Sequence, residues 1–164
     1  MIFEELRLSD EGGIREMSEM AAAIVREHFD PIIGKAQNDY MIGKFQTVEA
    51  IRNQLKKGYR YYFVREGQRI IGFLAFCPKE QCMYLSKFYL YRPERGKGRS
   101  KEMLDFVIRS ARQEGLPAIE LNVNRNNSAV YAYEKLGFRV IRSEKTDIGK
   151  GYYMDDYVYR LDIL

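Results

Sequence analysis

The clearest chemical pattern in this sequence is a basic, glycine-rich loop made of Arg95, Gly96, Lys97, Gly98, Arg99 and Ser100. It lies between a predicted strand over 83–91 and a predicted amphipathic helix over 98–113. The first N–H groups of a helix have no partner within it, and they lie at the positive end of its dipole. The glycines let the main chain approach an anion, and three cationic side chains add charge. The loop therefore predicts a pyrophosphate site.

Two common nucleotide motifs do not fit this basic loop (residues 95–100). A Walker loop requires glycine six residues before its lysine, but that position holds Tyr91. A dinucleotide fingerprint requires Gly-x-Gly-x-x-Gly, and Lys101 occupies the last position. A glycine-rich turn with solvated basic side chains is the alternative interpretation of the loop on its own.

A second segment, after a predicted strand over 118–123, combines polar residues, a short predicted helix over 127–136 and a Gly-Phe pair. Its spaced positions are Asn126, Ala129, Tyr133, Gly137 and Phe138. Each of the two segments lies where a strand leads into a helix, about 30 residues apart. Their order and spacing are more specific than either segment alone.

With both segments in place, the chain resembles the GCN5-related N-acetyltransferase (GNAT) superfamily from about residue 59 to 163. That family carries Arg/Gln-x-x-Gly-x-Gly/Ala, matched here by Arg95, Gly98 and Ser100, and Asn-x-x-Ala-x-x-x-Tyr-x-x-x-Gly-Phe, matched from Asn126. The chain departs from the first pattern twice. Ser100 replaces a small apolar residue, and Arg99 replaces an aliphatic one. Serine still donates from its amide and hydroxyl, so we expect phosphate binding to survive.

The resemblance implies an α/β (α+β) fold with a mixed, mostly antiparallel sheet of about seven strands, a splayed strand pair, and helices on both faces. It also implies one domain over residues 1–164. The implied activity is transfer of an acetyl group from acetyl-CoA to a primary amine by direct attack on the thioester. A catalytically silent acyl-CoA-binding module of the same fold is the alternative.

The resemblance also assigns roles to individual residues. The basic loop would bind the coenzyme A pyrophosphate, and the main chain of Phe88 and Leu90 would pair with the pantetheine arm. Asn126 would hydrogen-bond that arm or the backbone beside it. Tyr133 would protonate the departing thiolate, since a phenol stays protonated at neutral pH. Packing of Tyr133 in the core is the alternative.

The general base and the acceptor are left open. A strand over 152–162 carries Asp155 and Asp156 on opposite faces, so at most one of them enters the site. Glu120 and Tyr84 are weaker candidates, and a chain of water molecules is another. The acceptor is either a small-molecule amine or a protein amino group, and homodimers are common in the resembled family.

Local patterns predict the remaining elements. Helices are expected over 11–28, capped by Asp10 and ended by Pro31, over 32–44, and from Thr47 to about Gly58. Strands are expected over 2–8, 59–65, 69–77 and 138–145. The strands over 83–91 and 118–123 should be parallel neighbours joined by a right-handed crossover.

Composition restricts the function classes. The net charge of +4 on 164 residues is too dispersed to indicate a nucleic-acid partner. No segment has the length of a membrane span, and no signal peptide is recognisable, so a cytoplasmic location is expected. Cys77 and Cys82 are expected to be free thiols, and with only His28 available no metal site is predicted.

Overall fold

The structure is a computed structural model that describes residues 1–164. The strands are β1 (Ile2–Glu5), β2 (Arg60–Glu66), β3 (Arg69–Pro78), β4 (Met83–Leu90), β5 (Ala118–Asn124), β6 (Arg139–Gly149) and β7 (Tyr152–Asp162). The helices are α1 (Glu11–Ile33), α2 (Lys35–Phe45), α3 (Val48–Lys56), α4 (Arg99–Gln113) and α5 (Ala129–Lys135), with a short 3-10 turn at Arg92–Glu94. All strands form one sheet in the order β1-β2-β3-β4-β5-β7-β6.

The sheet is antiparallel except at one position. β4 and β5 are parallel and joined through α4, as the crossover prediction required. They pair at only two positions, Met83 with Ile119 and Tyr84 with Glu120. Beyond these pairs the two strands diverge, which confirms the predicted splayed pair and leaves one edge of β4 open toward β5.

Each face of the sheet carries its own apolar core. On one face, Met103 and Val107 of α4 pack with Leu74 and Ile119 of the strands. On the other face, Ile14 and Met17 of α1 pack with Ile51 of α3 and with Tyr61 and Phe73 of the sheet. These five side chains are essentially inaccessible to solvent. The predicted layering, with helices on both faces, is confirmed.

Helix α1 begins as predicted but ends later. The Asp10 side chain accepts a hydrogen bond from the Gly13 amide at 2.9 Å and so caps the helix. The prediction that Pro31 ends the helix is wrong, because α1 continues to Ile33. Pro31 lies in the last turn, where its missing N–H removes one hydrogen bond, and Gly34 closes that turn by donating to the Asp30 carbonyl.

Other boundaries also differ from the prediction: β1 ends at Glu5 rather than residue 8, and α2 begins at Lys35 rather than residue 32. β6 continues to Gly149 rather than residue 145, because it pairs with β7 up to Tyr152. Most of its residues are exposed, so it lacks the alternating burial that marks a strand. α5 begins at Ala129 rather than 127, since the Asn127 side chain accepts from the Ala129 amide and forms a turn instead.

A β-bulge in β4 decides which side chains reach the two faces. Leu85 pairs with Phe76 and Lys87 pairs with Ala75, so Ser86 is an extra residue in the ladder. After this residue the alternation is reversed. Lys87 therefore points to the α1–α3 face of the sheet, whereas Leu85 packs in the core on the α4 face.

The cysteines and the hydropathy of the helices can be compared directly with the sequence predictions. Cys77 and Cys82 are buried free thiols. None of the helices has both the length and the apolar composition needed to cross a membrane.

Gly72 of β3 provides a test of the close contact between β3 and β4. A methyl group added there would lie 2.2 Å from the Tyr89 carbonyl oxygen and 3.0 Å from the Leu90 Cα. We expect Gly72→Ala to lower the free energy of unfolding by about 2 kcal/mol, because backbone must move to admit it. Urea denaturation measures the change.

The control for this substitution is Gly43→Ala in α2, where an added methyl meets nothing within 4 Å. Alanine favours a helix over glycine, so stability should stay equal or rise by up to about 1 kcal/mol. Equal effects of the two substitutions would contradict the close-contact argument.

Candidate active site

The basic loop has the main-chain geometry of an anion site. Gly96 and Gly98 have φ values of 76° and 77°, in the left-handed region that favours glycine. The amides of residues 96 to 100 donate to no other group of the chain, main chain or side chain. Five consecutive free donors therefore stand at the beginning of α4, where the helix dipole adds positive potential.

A buried ion network fixes this loop. Glu94, which is only 4% exposed, pairs with Arg69 from β3. Arg99 pairs with Glu66, and its Nε lies 3.1 Å from Glu94 Oε2. The Arg99 guanidinium is thus held against two carboxylates, so only its main-chain amide is available to an anion. Sequence reasoning did not find Glu94, because nothing in its spacing shows that it is buried.

The open edge of β4 presents the two residues predicted to pair with the cofactor. Tyr91 donates to the Ile71 carbonyl across the β3–β4 pair at 3.0 Å. Main-chain groups of successive residues point to opposite edges of a strand, so those of Leu90 and Phe88 face the open edge. The Leu90 carbonyl already accepts from Arg95 Nε at 3.1 Å, which ties the basic loop to the end of β4.

Tyr133 of α5 lies beside this edge. Its ring packs against Phe88, Phe138 and Tyr159, with ring centroids 6.2, 5.7 and 6.5 Å away. Its hydroxyl makes no hydrogen bond within the chain, whereas the Tyr159 hydroxyl is bonded to Glu134. Burial, with a smaller contribution from Tyr89, raises the pKa of Tyr133. The phenol is therefore protonated at neutral pH and able to donate.

Two neighbouring asparagines have different environments. Asn126, the residue predicted to bind the cofactor, has an exposed side chain that forms no hydrogen bond within the chain. Asn127 is 6% exposed, and its Oδ1 accepts from the Ala129 amide at 2.9 Å. Because this oxygen is an acceptor, His28 Nε2 at 3.1 Å must donate to it. The sequence motif pointed to Asn126 and missed Asn127.

A cavity of about 560 Å³ opens on the other side of β4. Its walls come from α1, α2 and α3, from the diverging strands β4 and β5, and from β7. Tyr84, Lys87 and Tyr89 line it from β4, and Asn122 and Asn124 line it from β5. The cavity and Tyr133 therefore lie on opposite sides of the gap between the splayed strands.

The structure separates the candidates for the general base. Asp156 lines the cavity and is 5% exposed. Asp155 points away and pairs with Arg125 at 3.0 Å, and Glu120 pairs with Arg160 at 2.7 Å. Burial raises the pKa of Asp156 above its usual value, and a hydrogen bond from Asn122 at 3.3 Å partly opposes this effect.

Tyr84 and Asn122 extend the Asp156 hydrogen bonds into a chain. The Tyr84 hydroxyl donates to Asn122 Oδ1 at 3.1 Å, and Asn122 Nδ2 donates to Asp156. Burial raises the pKa of Tyr84, so its phenol holds its proton and remains a donor in this chain.

Lys87 is a buried cation at the edge of this cavity. Its Nζ donates to the Phe45 carbonyl at 3.0 Å and to Gln46 Oε1 at 2.7 Å, and it contacts the Tyr61 hydroxyl. Three acceptors suit an ammonium group. No carboxylate pairs with it, however, and burial lowers the pKa of Lys87 to about 7. The contacts tie the connection between α2 and α3 to β4, beside the bulge.

A family model described as the acetyltransferase (GNAT) domain matches residues 29–152 of this chain. The chain belongs to the GNAT acetyltransferase family. The match includes the basic loop, the splayed strands and α5, and it ends before Asp156 of β7. No curated protein sequence matches the chain significantly.

Solved structures share the GNAT fold over nearly the full length. The PaiA N-acetyltransferase of Thermoplasma acidophilum, in complex with coenzyme A, is 20% identical, covers 99% of each chain and has a TM-score of 0.76. A GCN5-related N-acetyltransferase of Rhodopseudomonas palustris is 10% identical over 98% of this chain and 94% of its own, with a TM-score of 0.78. The aminoglycoside 6'-acetyltransferase type Ii is 14% identical over 100% and 98%, with a TM-score of 0.64.

The lowered pKa of Lys87 predicts how the stability of this GNAT chain depends on pH. Between pH 7 and about 10 the folded chain holds this amine neutral, whereas the unfolded chain binds a proton there. The unfolded state then binds more protons, so stability rises with pH. Relative to Lys87→Met, the wild-type free energy of unfolding should increase from pH 6 to pH 9, as measured by urea denaturation.

Lys56→Met is the control, because Lys56 is an exposed side chain of α3. Its difference from wild type should stay constant over the same pH range. A constant difference for Lys87→Met as well would show that Lys87 keeps an ordinary pKa in the folded chain.

Proposed function

We propose that the protein is an N-acetyltransferase that moves an acetyl group from acetyl-CoA to a primary amine by direct attack on the thioester. The observation that carries this proposal is the row of five free amides at the start of α4 beside the open edge of β4. A diphosphate needs several donors at one place, and an extended arm needs an unpaired strand edge. Coenzyme A contains both a diphosphate and an extended pantetheine arm.

In this proposal the basic loop holds the pyrophosphate through the amides of Gly96 to Ser100 and the charges of Arg95 and Lys97. The pantetheine arm follows β4 and pairs with the main chain of Phe88 and Leu90, with Asn126 beside it. A GNAT relative of the same fold, the PaiA N-acetyltransferase, was solved with coenzyme A, which supports this choice of cofactor.

The proposed reaction uses the gap between the splayed strands. An acceptor that binds as its ammonium first gives one proton to solvent. The lone pair of the neutral amine then attacks the thioester carbon from the side of the cavity, and a main-chain N–H of β4 stabilises the oxyanion. The C–S bond breaks, and the departing thiolate takes the proton of the Tyr133 hydroxyl. The proton that the amine releases returns to the phenolate through solvent.

The cavity is the proposed acceptor site because it opens on the side of the gap between β4 and β5 that lies opposite Tyr133. Its volume of about 560 Å³ is in the range of small-molecule sites. A related fold belongs to an aminoglycoside acetyltransferase, which supports a small-molecule amine as the acceptor class.

The proposed location is the cytoplasm, where thiols such as Cys77 and Cys82 stay reduced.

Gly98 tests the pyrophosphate site. Its φ of 77° is unfavourable for a residue with a side chain by about 1–2 kcal/mol, so Gly98→Ala should shift the loop amides. We expect the dissociation constant for coenzyme A to rise about tenfold, which corresponds to 1.4 kcal/mol. Isothermal titration calorimetry with coenzyme A provides the measurement.

Gly115→Ala is the matched control for this substitution. Gly115 has a φ of 71° and follows the other end of the same helix, so it carries similar backbone strain away from the loop. The affinity of the Gly115→Ala variant for coenzyme A should equal that of the wild type. If both variants lost affinity equally, the loop would not be the binding site.

Tyr133 tests catalysis separately from binding. Tyr133→Phe removes the proton donor and keeps the ring packing, so kcat should fall about 100-fold while coenzyme A affinity is unchanged. Release of free thiol from acetyl-CoA, with an amine acceptor present, measures kcat.

The control is Tyr131→Phe in the same helix, where the side chain is 70% exposed and no change in kcat is expected. An unchanged kcat in Tyr133→Phe would remove Tyr133 from the mechanism. An absence of thiol release in the wild type with every amine, despite coenzyme A binding, would favour the silent binding module.

A further inference from the structure

We propose that the acceptor is a primary amine that also carries an anionic group, a carboxylate or a phosphate, rather than a polycation such as a polyamine. This inference rests on the proposed function, since it assigns the acceptor of that reaction. The charges that line the cavity of about 560 Å³ on the α1–α3 face support this assignment.

Asp156 is the only carboxylate in the cavity lining. It is 5% exposed, and it forms no ion pair with any cation of the chain. Its one side-chain hydrogen bond comes from Asn122 to Oδ2, so Oδ1 is unoccupied within the chain. A buried carboxylate without a cation is unfavourable on its own, and the ammonium of an acceptor would compensate it.

The lining also holds three lysines, Lys44, Lys57 and Lys87, and burial lowers the pKa of Lys87 alone to about 7. The only lysines of the chain that form ion pairs are Lys35 and Lys101, and neither of them lines the cavity. The lining lysines therefore have no counter-charge within the chain.

Their surroundings strengthen this positive field. Lys44 Nζ donates to the Ile148 carbonyl at 2.9 Å, a neutral acceptor that leaves its charge in place. Lys145 adds a further cation, because its Nζ lies 4.9 Å from the ring centroid of Tyr153, a lining residue.

Nearby carboxylates do not cancel this excess of positive charge. Glu144, whose Oε2 lies 3.4 Å from Asn122, is paired with Arg142 at 2.8 Å. Asp155 is paired with Arg125. Lys44, Lys57 and the nearby Lys145 thus face one free carboxylate, a field that repels a molecule with several positive charges and attracts one with an anionic end. Asp156 would hold the amine end, and Lys44 and Lys57 would hold the anionic end.

The experiment compares three acceptors of similar length that differ only in the group at the far end. δ-Aminovalerate ends in a carboxylate, pentylamine in a methyl group and cadaverine in a second ammonium. Thiol release from acetyl-CoA gives kcat/KM for each. We expect the order δ-aminovalerate, pentylamine, cadaverine, with about tenfold between first and last at low salt and a smaller ratio at high salt. O-Phosphoethanolamine against ethylenediamine repeats the comparison with a phosphate.

Variants connect the preference to particular residues. The double substitution Lys44→Met and Lys57→Met keeps most of the apolar stems and should remove most of the preference for δ-aminovalerate over pentylamine. Lys35→Met in α2 with Lys56→Met at the end of α3, both outside the lining, should leave the preference unchanged. Asp156→Asn should lower kcat/KM for all three acceptors, because all three share the ammonium.

The outcomes separate this inference from the proposed function. If cadaverine is the best acceptor, or if the lysine substitutions leave the preference intact, the inference is overturned while the acetyltransferase proposal stands. The same holds if acetyl-CoA binds but neither anion-bearing amine is acetylated. If acetyl-CoA itself produces no thermal shift and no thiol release, the proposed function fails.

Discussion

The main constraint in this structure is that β4 and β5 pair at two positions and then separate. A parallel pair would normally continue its hydrogen bonds along both strands, and stopping them leaves main-chain donors and acceptors of β4 unpaired. The proposed cofactor would supply partners for these groups. The free amides at the start of α4 lie at the end of the same strand, so the loop and the strand edge form one continuous binding surface.

The bulge at Ser86 decides what each side of the gap contains. On one side, Phe88 meets Tyr133, whose hydroxyl is free of partners within the chain. On the other side, Lys87 binds the connection between α2 and α3 and Asp156 faces the cavity. In the proposed mechanism the two sides would differ in chemistry: one would supply an acid for the leaving group, and the other would supply charges that select the amine. The extra residue in β4 thus sets the faces on which Lys87 and Phe88 lie.

The sequence predicted the elements and the family because these depend on local patterns. The alternation in β2 to β4, the glycines at 96 and 98 and the spacing from Asn126 to Phe138 are visible without a structure. Regular alternation along a strand predicts that neighbouring side chains lie on opposite faces of the sheet. It therefore placed Asp155 and Asp156 on different faces but did not show which of the two faces the site. Pro31 and the exposed β6 were misjudged because packing and pairing, rather than local preference, set their boundaries. Glu94, Lys87 and Asn127 were missed because only tertiary contacts bury them.

One carbonyl connects the helical wall of the cavity to the last hairpin of the sheet. The oxygen of Ile148 accepts from the Tyr40 hydroxyl at 2.6 Å and from Lys44 Nζ at 2.9 Å. The donors and the acceptor are more than a hundred positions apart in the chain, so these contacts belong to the non-local class whose formation slows folding. During synthesis on the ribosome, the residues of α1 to β4 emerge first, and those of β7, which supply the last wall of the cavity, emerge near the end. The proposed acceptor site is thus completed by one of the last segments of the polypeptide to leave the ribosome.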